Sequence, residues 1–231
     1  MTEKLYYENF DLNECEAVIT AVSELGIATD RTCAYAEGGG QVGDSGVIVK
    51  DGVEYLFGNC VKSGGEVVEL EGFSKVQLKS DVFHCVENAE GLKVGDRVLV
   101  RIDRVKRDGA TNFHSALHIV LMAARRVKPE ATQIIKGCAI TSEGARIDFA
   151  CEEKFSTDEL ARIEAEANAI IEANLPVRIY AFDGVKDAWM WECEEFSCPC
   201  GGTHKHFTGE VAKVSVKRKN IGKGCDRLVV A

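Results

Sequence analysis

Histidine is scarce in this chain, with five among 231 residues. No apolar run approaches the ~20 residues needed to span a bilayer, so no membrane segment is expected. The start, Met1-Thr2-Glu3-Lys4-Leu5, lacks a basic stretch running into an apolar one, so no signal peptide is expected either. Basic charge is not in excess. A net charge of −9 argues against a protein that coats nucleic acid indiscriminately. There is no internal repeat and no low-complexity segment. Cysteine is plentiful, but the ten thiols are scattered through a mid-sized chain without an export signal. They read as reduced thiols of a cytosolic protein rather than a disulfide framework.

Three of the five histidines fall in two short stretches, His114-Ser115-Ala116-Leu117-His118 and Cys198-Pro199-Cys200-Gly201-Gly202-Thr203-His204. Residues four apart on a helix share a face, with Cβ atoms about 5–6 Å apart. His114 and His118 can therefore share one ion, and Cys200 and His204 offer a thiolate and a third imidazole at the same interval. Nitrogen and sulfur donors of this kind suit tetrahedral Zn²⁺. The expected ligands are His114, His118, Cys200 and His204.

Residues 15–22 and 26–35 read as strands, rich in β-branched side chains and short. The run Glu37-Gly38-Gly39-Gly40-Gln41-Val42-Gly43-Asp44-Ser45-Gly46 holds too many glycines for a regular element. It matches G-x-G-x-x-G, but no helix opens there. An Asp51-Gly52 hairpin spanning 47–56 follows, which excludes the dinucleotide reading and any nucleotide cofactor with it. Short strands near 66–70, 75–78, 82–86 and 97–103 suggest a small β-barrel or sandwich. Beyond it, Phe113, Leu117, Val120, Leu121 and Ala124 mark a helix over 113–126. A hairpin over 138–149 turns at Ser142-Glu143-Gly144. A capping box at Ser156–Glu159 opens a second helix, which stops by Pro176. Strands are expected at 177–182 and 187–192, and on an alternating tail in which Val214 and Val216 oppose Lys213, Ser215 and Lys217. The domain boundary is expected near residues 104–110. The tail's Lys213, Lys217, Lys219 and Lys223 form either a phosphate-binding surface or a solvated strand face.

These motifs resemble those of the alanyl-tRNA editing proteins and the editing domain of alanyl-tRNA synthetase. Residues 114–118 are similar to that family's His-Thr-Ala-x-His, and Cys200 to His204 match its Cys-Gly-Gly-Thr-His. Tyr35 to Gln41, followed by Asp44-Ser45-Gly46, resembles its glycine-rich motif. Arg146-Ile147-Asp148-Phe149 and Gly222-Lys223-Gly224 resemble two further strands and turns of the family. The departures are Ser115 for Thr, Ala36 for Pro, Ile135 near a position that is often Gln, and an extra thiol at Cys198. The resemblance implies an α+β fold. A small N-terminal β-barrel-like domain (1–107) with the glycine-rich loop precedes an editing domain (108–231) with helices packed on an antiparallel sheet.

It also implies a cytoplasmic, zinc-dependent hydrolase acting in trans on tRNA mischarged for alanine. The substrate is seryl-tRNA, or glycyl-tRNA as well, held by its acceptor end, and the enzyme is a monomer or a dimer. Because four protein ligands close a tetrahedral ion, either His204 leaves or the coordination expands. Ser115 either contacts the substrate side chain or bonds back along its helix. Gly38, Gly39, Gly40 and Gln41 either meet tRNA or form a tight turn. A non-catalytic tRNA-binding module with a structural zinc, and a threonyl-type editing domain, are the alternatives.

Overall fold

The computed structural model describes residues 1–70, 73 and 75–231. In chain order its strands begin with β1 (Glu3–Lys4), β2 (Glu14–Ser23), β3 (Gly26–Thr29), β4 (Arg31–Thr32), β5 (Gly46–Lys50) and β6 (Val53–Ser63). Next come β7 (Glu66–Val68), β8 (Val76–Leu78), β9 (Asp81–Val86), β10 (Arg97–Ile102) and helix α1 (Arg104–Val127). The second half holds β11 (Ile135–Ile140), β12 (Ala145–Ala150), α2 (Thr157–Glu172), β13 (Arg178–Ala181), β14 (Trp189–Cys193), β15 (Phe196–Pro199), β16 (Val216–Asn220) and β17 (Cys225–Val230).

Six antiparallel strands close a barrel in the order β10-β2-β3-β9-β6-β5. Every second residue points inward, so Ile19, Ile27, Ile48, Val82, Val98 and Val100 fill one core. The β5–β6 turn places Asp51 and Gly52 at φ 49° and 80°, the paired positive values of a tight hairpin. The second half is a four-stranded antiparallel sheet, β11-β12-β17-β16, packed against α1 and α2. Leu117, Val120 and Leu121 of α1 and Ile163 and Ile170 of α2 meet Ile147, Phe149, Leu228 and Val230 in a separate core. The expected α+β architecture with its barrel is the one observed.

Helix α1 starts nine residues before its apolar stripe. Asp103 caps it, accepting from the Lys106 amide at 3.1 Å. Its first turns are polar because they serve the barrel and not the second core. Arg107 is fully buried and forms an ion pair with Asp44, while donating to Phe10 O at 3.2 Å and Cys33 O at 2.8 Å. Removing one partner of such a pair strands the other charge, at a cost of about 3–5 kcal/mol. Gly109 belongs in this stretch because a Cβ there would run into the Ser142 backbone. The strand expected over 26–35 breaks after Thr29 and again after Thr32, and the tail strand begins at Val216.

Candidate metal centre

The two histidine stretches converge. His114 and His118 stand one turn apart on α1 with their rings stacked at 5.1 Å. The β14–β15 hairpin delivers the other stretch, and the Cys200 amide donates to Trp189 O at 2.8 Å, which ties the loop to β14. Cys200 Sγ lies 3.2 Å from His114 Nε2, 3.3 Å from His118 Nε2 and 3.4 Å from His204 Nε2. All four ligand atoms fall within 4.8 Å of one another. A tetrahedral ion with about 2.3 Å to sulfur and about 2.0–2.1 Å to nitrogen separates those atoms by roughly 3.5 Å. The three sulfur–nitrogen edges therefore fit one ion, and among the described residues this is the cluster able to hold one.

The electrostatics fit as well. Burial holds His114 down to about 3. It also takes His118 and His204 well below the usual imidazole value, and the neighbouring histidines add to the shift. All three imidazoles are therefore neutral at physiological pH, the form that binds a metal. Burial pushes the Cys200 thiol up, with further contributions from Cys198 and Cys138. A cation is what would hold it as thiolate.

The support behind each ligand differs. His114 Nδ1 lies 2.6 Å from Gln41 Oε1, which also accepts the Thr203 amide at 3.1 Å. That oxygen is an acceptor, so His114 carries its proton on Nδ1 and turns the Nε2 lone pair towards Cys200. Gln41 Nε2 donates to Thr203 Oγ1 at 3.0 Å, and Thr203 Oγ1 meets Thr111 Oγ1 at 2.7 Å. Gly202 leaves space for this arrangement, since a Cβ there would strike the His114 ring and Gln41 Oε1. His118 stacks on Trp191 at 4.6 Å, and its Nδ1 lies 3.5 Å from Cys198 Sγ. His204 Nδ1 is buried and has no hydrogen-bond partner among the described residues.

Of the two readings of Ser115, the back-bond along the helix is present: it is buried, donates to Thr111 O at 2.9 Å and accepts the Lys205 amide at 2.9 Å. The Gln41 side chain lies inside the protein; it is 2% exposed and its amide is engaged by His114 and Thr203. Sequence reasoning missed Thr111 and Thr203. The one available signal was that Thr203 lies inside the Cys200–His204 motif and Thr111 lies one turn before His114.

Gly38 is half-buried, while Gly39 and Gly40 are exposed. The loop hydrogen-bonds along β11, with Ile140 donating to Gly40 O at 2.8 Å and Val42 to Ile140 O at 3.1 Å. Gly40 lies so close to Cys138 that a Cβ would overlap it. Of the tail lysines, Lys217 and Lys219 are exposed on β16 and Lys223 on the following turn. Lys213 precedes the strand and pairs with Glu172 at 2.9 Å. β16 is the opposite edge of the sheet from the glycine-rich loop. At ~4.8 Å per strand the two lie about 19 Å apart across it. Ile135 is 42% exposed at the start of β11.

Fold and site together define an α+β protein with a buried three-histidine, one-cysteine centre beside a β-barrel. No family model matches the chain. It is 31% identical to the alanine–tRNA ligase of Caulobacter sp. (strain K31), over 90% of this chain and 25% of the ligase. It is 34% identical to that of Burkholderia mallei (strain NCTC 10229) and 33% identical to that of Burkholderia thailandensis, over 90% of this chain and 24% of each ligase. The chain thus resembles alanyl-tRNA synthetase over nine-tenths of its length, as its motifs indicated, and spans about a quarter of the length of these relatives. No helix among the described residues is long and apolar enough to cross a membrane.

Proposed function

We propose that the chain is an editing hydrolase that cleaves the ester of mischarged tRNA(Ala), with seryl-tRNA as the main substrate and glycyl-tRNA as a second. The observation that carries this reading is the convergence of His114, His118, Cys200 and His204 within 4.8 Å. These residues would hold Zn²⁺, whose donor preference they match. When bound, the ion supplies Lewis acidity and a water of lowered pKa at neutral pH.

The protein's own groups set the rest. Gln41 and Thr203 fix the tautomer and tilt of His114, and the Trp191 indole fixes the plane of His118. His204, with no partner on Nδ1, is the least restrained of the four and the one best able to yield its place to substrate. Cys138, Cys198 and Cys200 are all half-buried, which supports access to the centre from their side. A site that hydrogen-bonds the serine hydroxyl would reject alanine, which leaves those polar groups unpaired. Lys217, Lys219 and Lys223, together with the backbone of Gly38 to Gly40, would contact the RNA.

A deacylation panel tests the proposal, using seryl- and glycyl-tRNA(Ala), seryl-tRNA(Thr) and correctly charged controls. Release of serine from tRNA(Ala), sensitive to removal of the metal, is the expected result. Four protein ligands also suit an ion that only stabilises the fold. A protein that binds tRNA yet leaves every ester intact would establish that second reading.

A further inference from the structure

Lys62, on β6 of the barrel, is half-buried and has no hydrogen-bond or ion-pair partner among the described residues. Its neighbours explain why. Lys4, 8% exposed, takes the adjacent carboxylate, with Nζ 2.5 Å from Asp187 Oδ1. Asp187 also accepts the Lys79 amide at 2.8 Å, so both of its oxygens are engaged. The one carboxylate nearby is thus spent on Lys4 and the Lys79 amide, and among the described residues Lys62 is left without a partner. Burial, and then the charge of Lys4, bring the Lys62 amine down to about 8. An unpaired ammonium held partly out of water is costly unless something answers it.

Lys62 Nζ lies 3.9 Å from the point a Cβ on Gly38 would occupy. Gly38 O accepts the Tyr35 hydroxyl at 2.9 Å. The next two residues, Gly39 and Gly40, are exposed at φ 59° and 87°, and their amides donate to nothing among the described residues. The paired positive values are those of a two-residue tight turn closed by Gly38 and Gln41, which leaves both amides free to donate to an acceptor from outside. The following residue is Gln41, whose side chain touches His114. A free ammonium and two free amides therefore flank a loop that ends at the metal centre.

We infer that Lys62 and the Gly39–Gly40 amides form the binding site for a phosphodiester of the single-stranded 3′ end of the RNA whose terminal ester reaches the centre. The inference rests on the proposed function and names how its substrate is held. The tail lysines lie on the far edge of the sheet and are suited only to a more distant part of the molecule. Lys62 is a binding residue and takes no part in bond cleavage.

The test uses uncharged single-stranded RNA ending in CCA with the metal-loaded protein, so it does not depend on ester hydrolysis. In fluorescence anisotropy, Lys62→Met should weaken binding about tenfold, the loss of one charge-assisted contact. It should also reduce the slope of log K against log salt by about 0.7, the value for one phosphate on a single strand. Lys62→Arg should restore most of the affinity. A second measurement needs no variant: Lys62 should be acylated readily by an amine-directed reagent in the free protein and protected when the RNA is bound, read by mass spectrometry. Unchanged binding by Lys62→Met, an unprotected Lys62, or equal protection by inorganic phosphate alone would each overturn the inference. A protein that protects Lys62 but hydrolyses no aminoacyl-tRNA would keep the phosphate site and remove the proposed activity.

Discussion

His84 in the barrel and His114 in α1 are both buried, and burial holds both imidazoles far below their ordinary value, to about 4 and about 3. Their roles differ because their second nitrogens differ. His84 Nδ1 lies 2.9 Å from Ile27 O and its Nε2 2.9 Å from Thr32 Oγ1, so the ring is satisfied on both sides by the barrel itself. His114 is satisfied on one side only, by Gln41, and its other nitrogen points to a thiol shared with two more imidazoles. A histidine with both nitrogens answered is a core residue. One with a lone pair left over, aimed where other lone pairs are aimed, is placed to hold an ion.

The harshest test of that contrast is to remove the shared thiol. Cys200→Ala deletes the atom at which all three imidazoles point. It should lower metal affinity by more than about 100-fold, beyond what loss of an outer partner costs. Elemental analysis after dialysis should find little metal, and ester hydrolysis should disappear with it. His84→Leu should leave metal content at the wild-type level. If the two variants swap outcomes, the comparison fails.

Gln41→Ala tests the link between the halves. The change leaves the His114 Nδ1–H and the Thr203 amide without their acceptor. Outer partners of this kind typically contribute 10–100-fold to metal affinity, so competition against a chelator should show a loss in that range, with the metal still bound at saturating concentration. An unchanged affinity would mean that helix packing alone orients His114.

His84 sharpens the other side. Its folded pKa lies below its unfolded one, so the folded state binds fewer protons. The stability it contributes is complete above about pH 6.5 and is lost as pH falls towards 4. The full span is worth about 3 kcal/mol. His84→Leu should cost roughly 2–3 kcal/mol at neutral pH through two lost hydrogen bonds and imperfect packing. The gap between variant and wild type in denaturant melts should narrow between pH 6.5 and pH 4. A constant gap would mean that His84 does not titrate in that window.

The cluster able to hold an ion was legible in the sequence because its spacing is local: four residues along a helix for His114 and His118, and a compact loop from Cys200 to His204. The barrel was legible because alternation is local too. What could not be read was set by partners distant in sequence. Gln41 reads as a surface amide until His114, 73 residues away, is placed beside it. The first three turns of α1 carry no apolar stripe because Arg107 answers Asp44 across 63 residues. β15 was missed because Pro199 ends it, although it pairs regularly with β14 from Phe196 onward. Lys217 and Lys219 alternate on β16, yet nothing in the order of the tail lysines reveals that this strand sits at the far edge from the glycine-rich loop.

The smallest effect is expected at the second thiol. Cys198 lies on β15 opposite Trp191, two residues from Cys200. Burial pushes its thiol up to about 12, so it remains protonated at neutral pH. Its sulfur lies 3.5 Å from His118 Nδ1, the nitrogen turned away from the cluster. With His118 Nε2 given to a metal, Nδ1 carries the hydrogen and Cys198 can only accept it. Sulfur is a weak acceptor, and the ring is already held by its stack on Trp191 at 11° between planes. Cys198→Ala should therefore keep the metal and reduce affinity by less than about tenfold, the lower limit for outer partners. Chelator competition run beside Gln41→Ala decides it. A loss as large as that of Gln41→Ala would mean that the thiol orients His118 more than the stack does. If Cys198→Ala empties the centre while Cys200→Ala does not, the ligand thiol is Cys198.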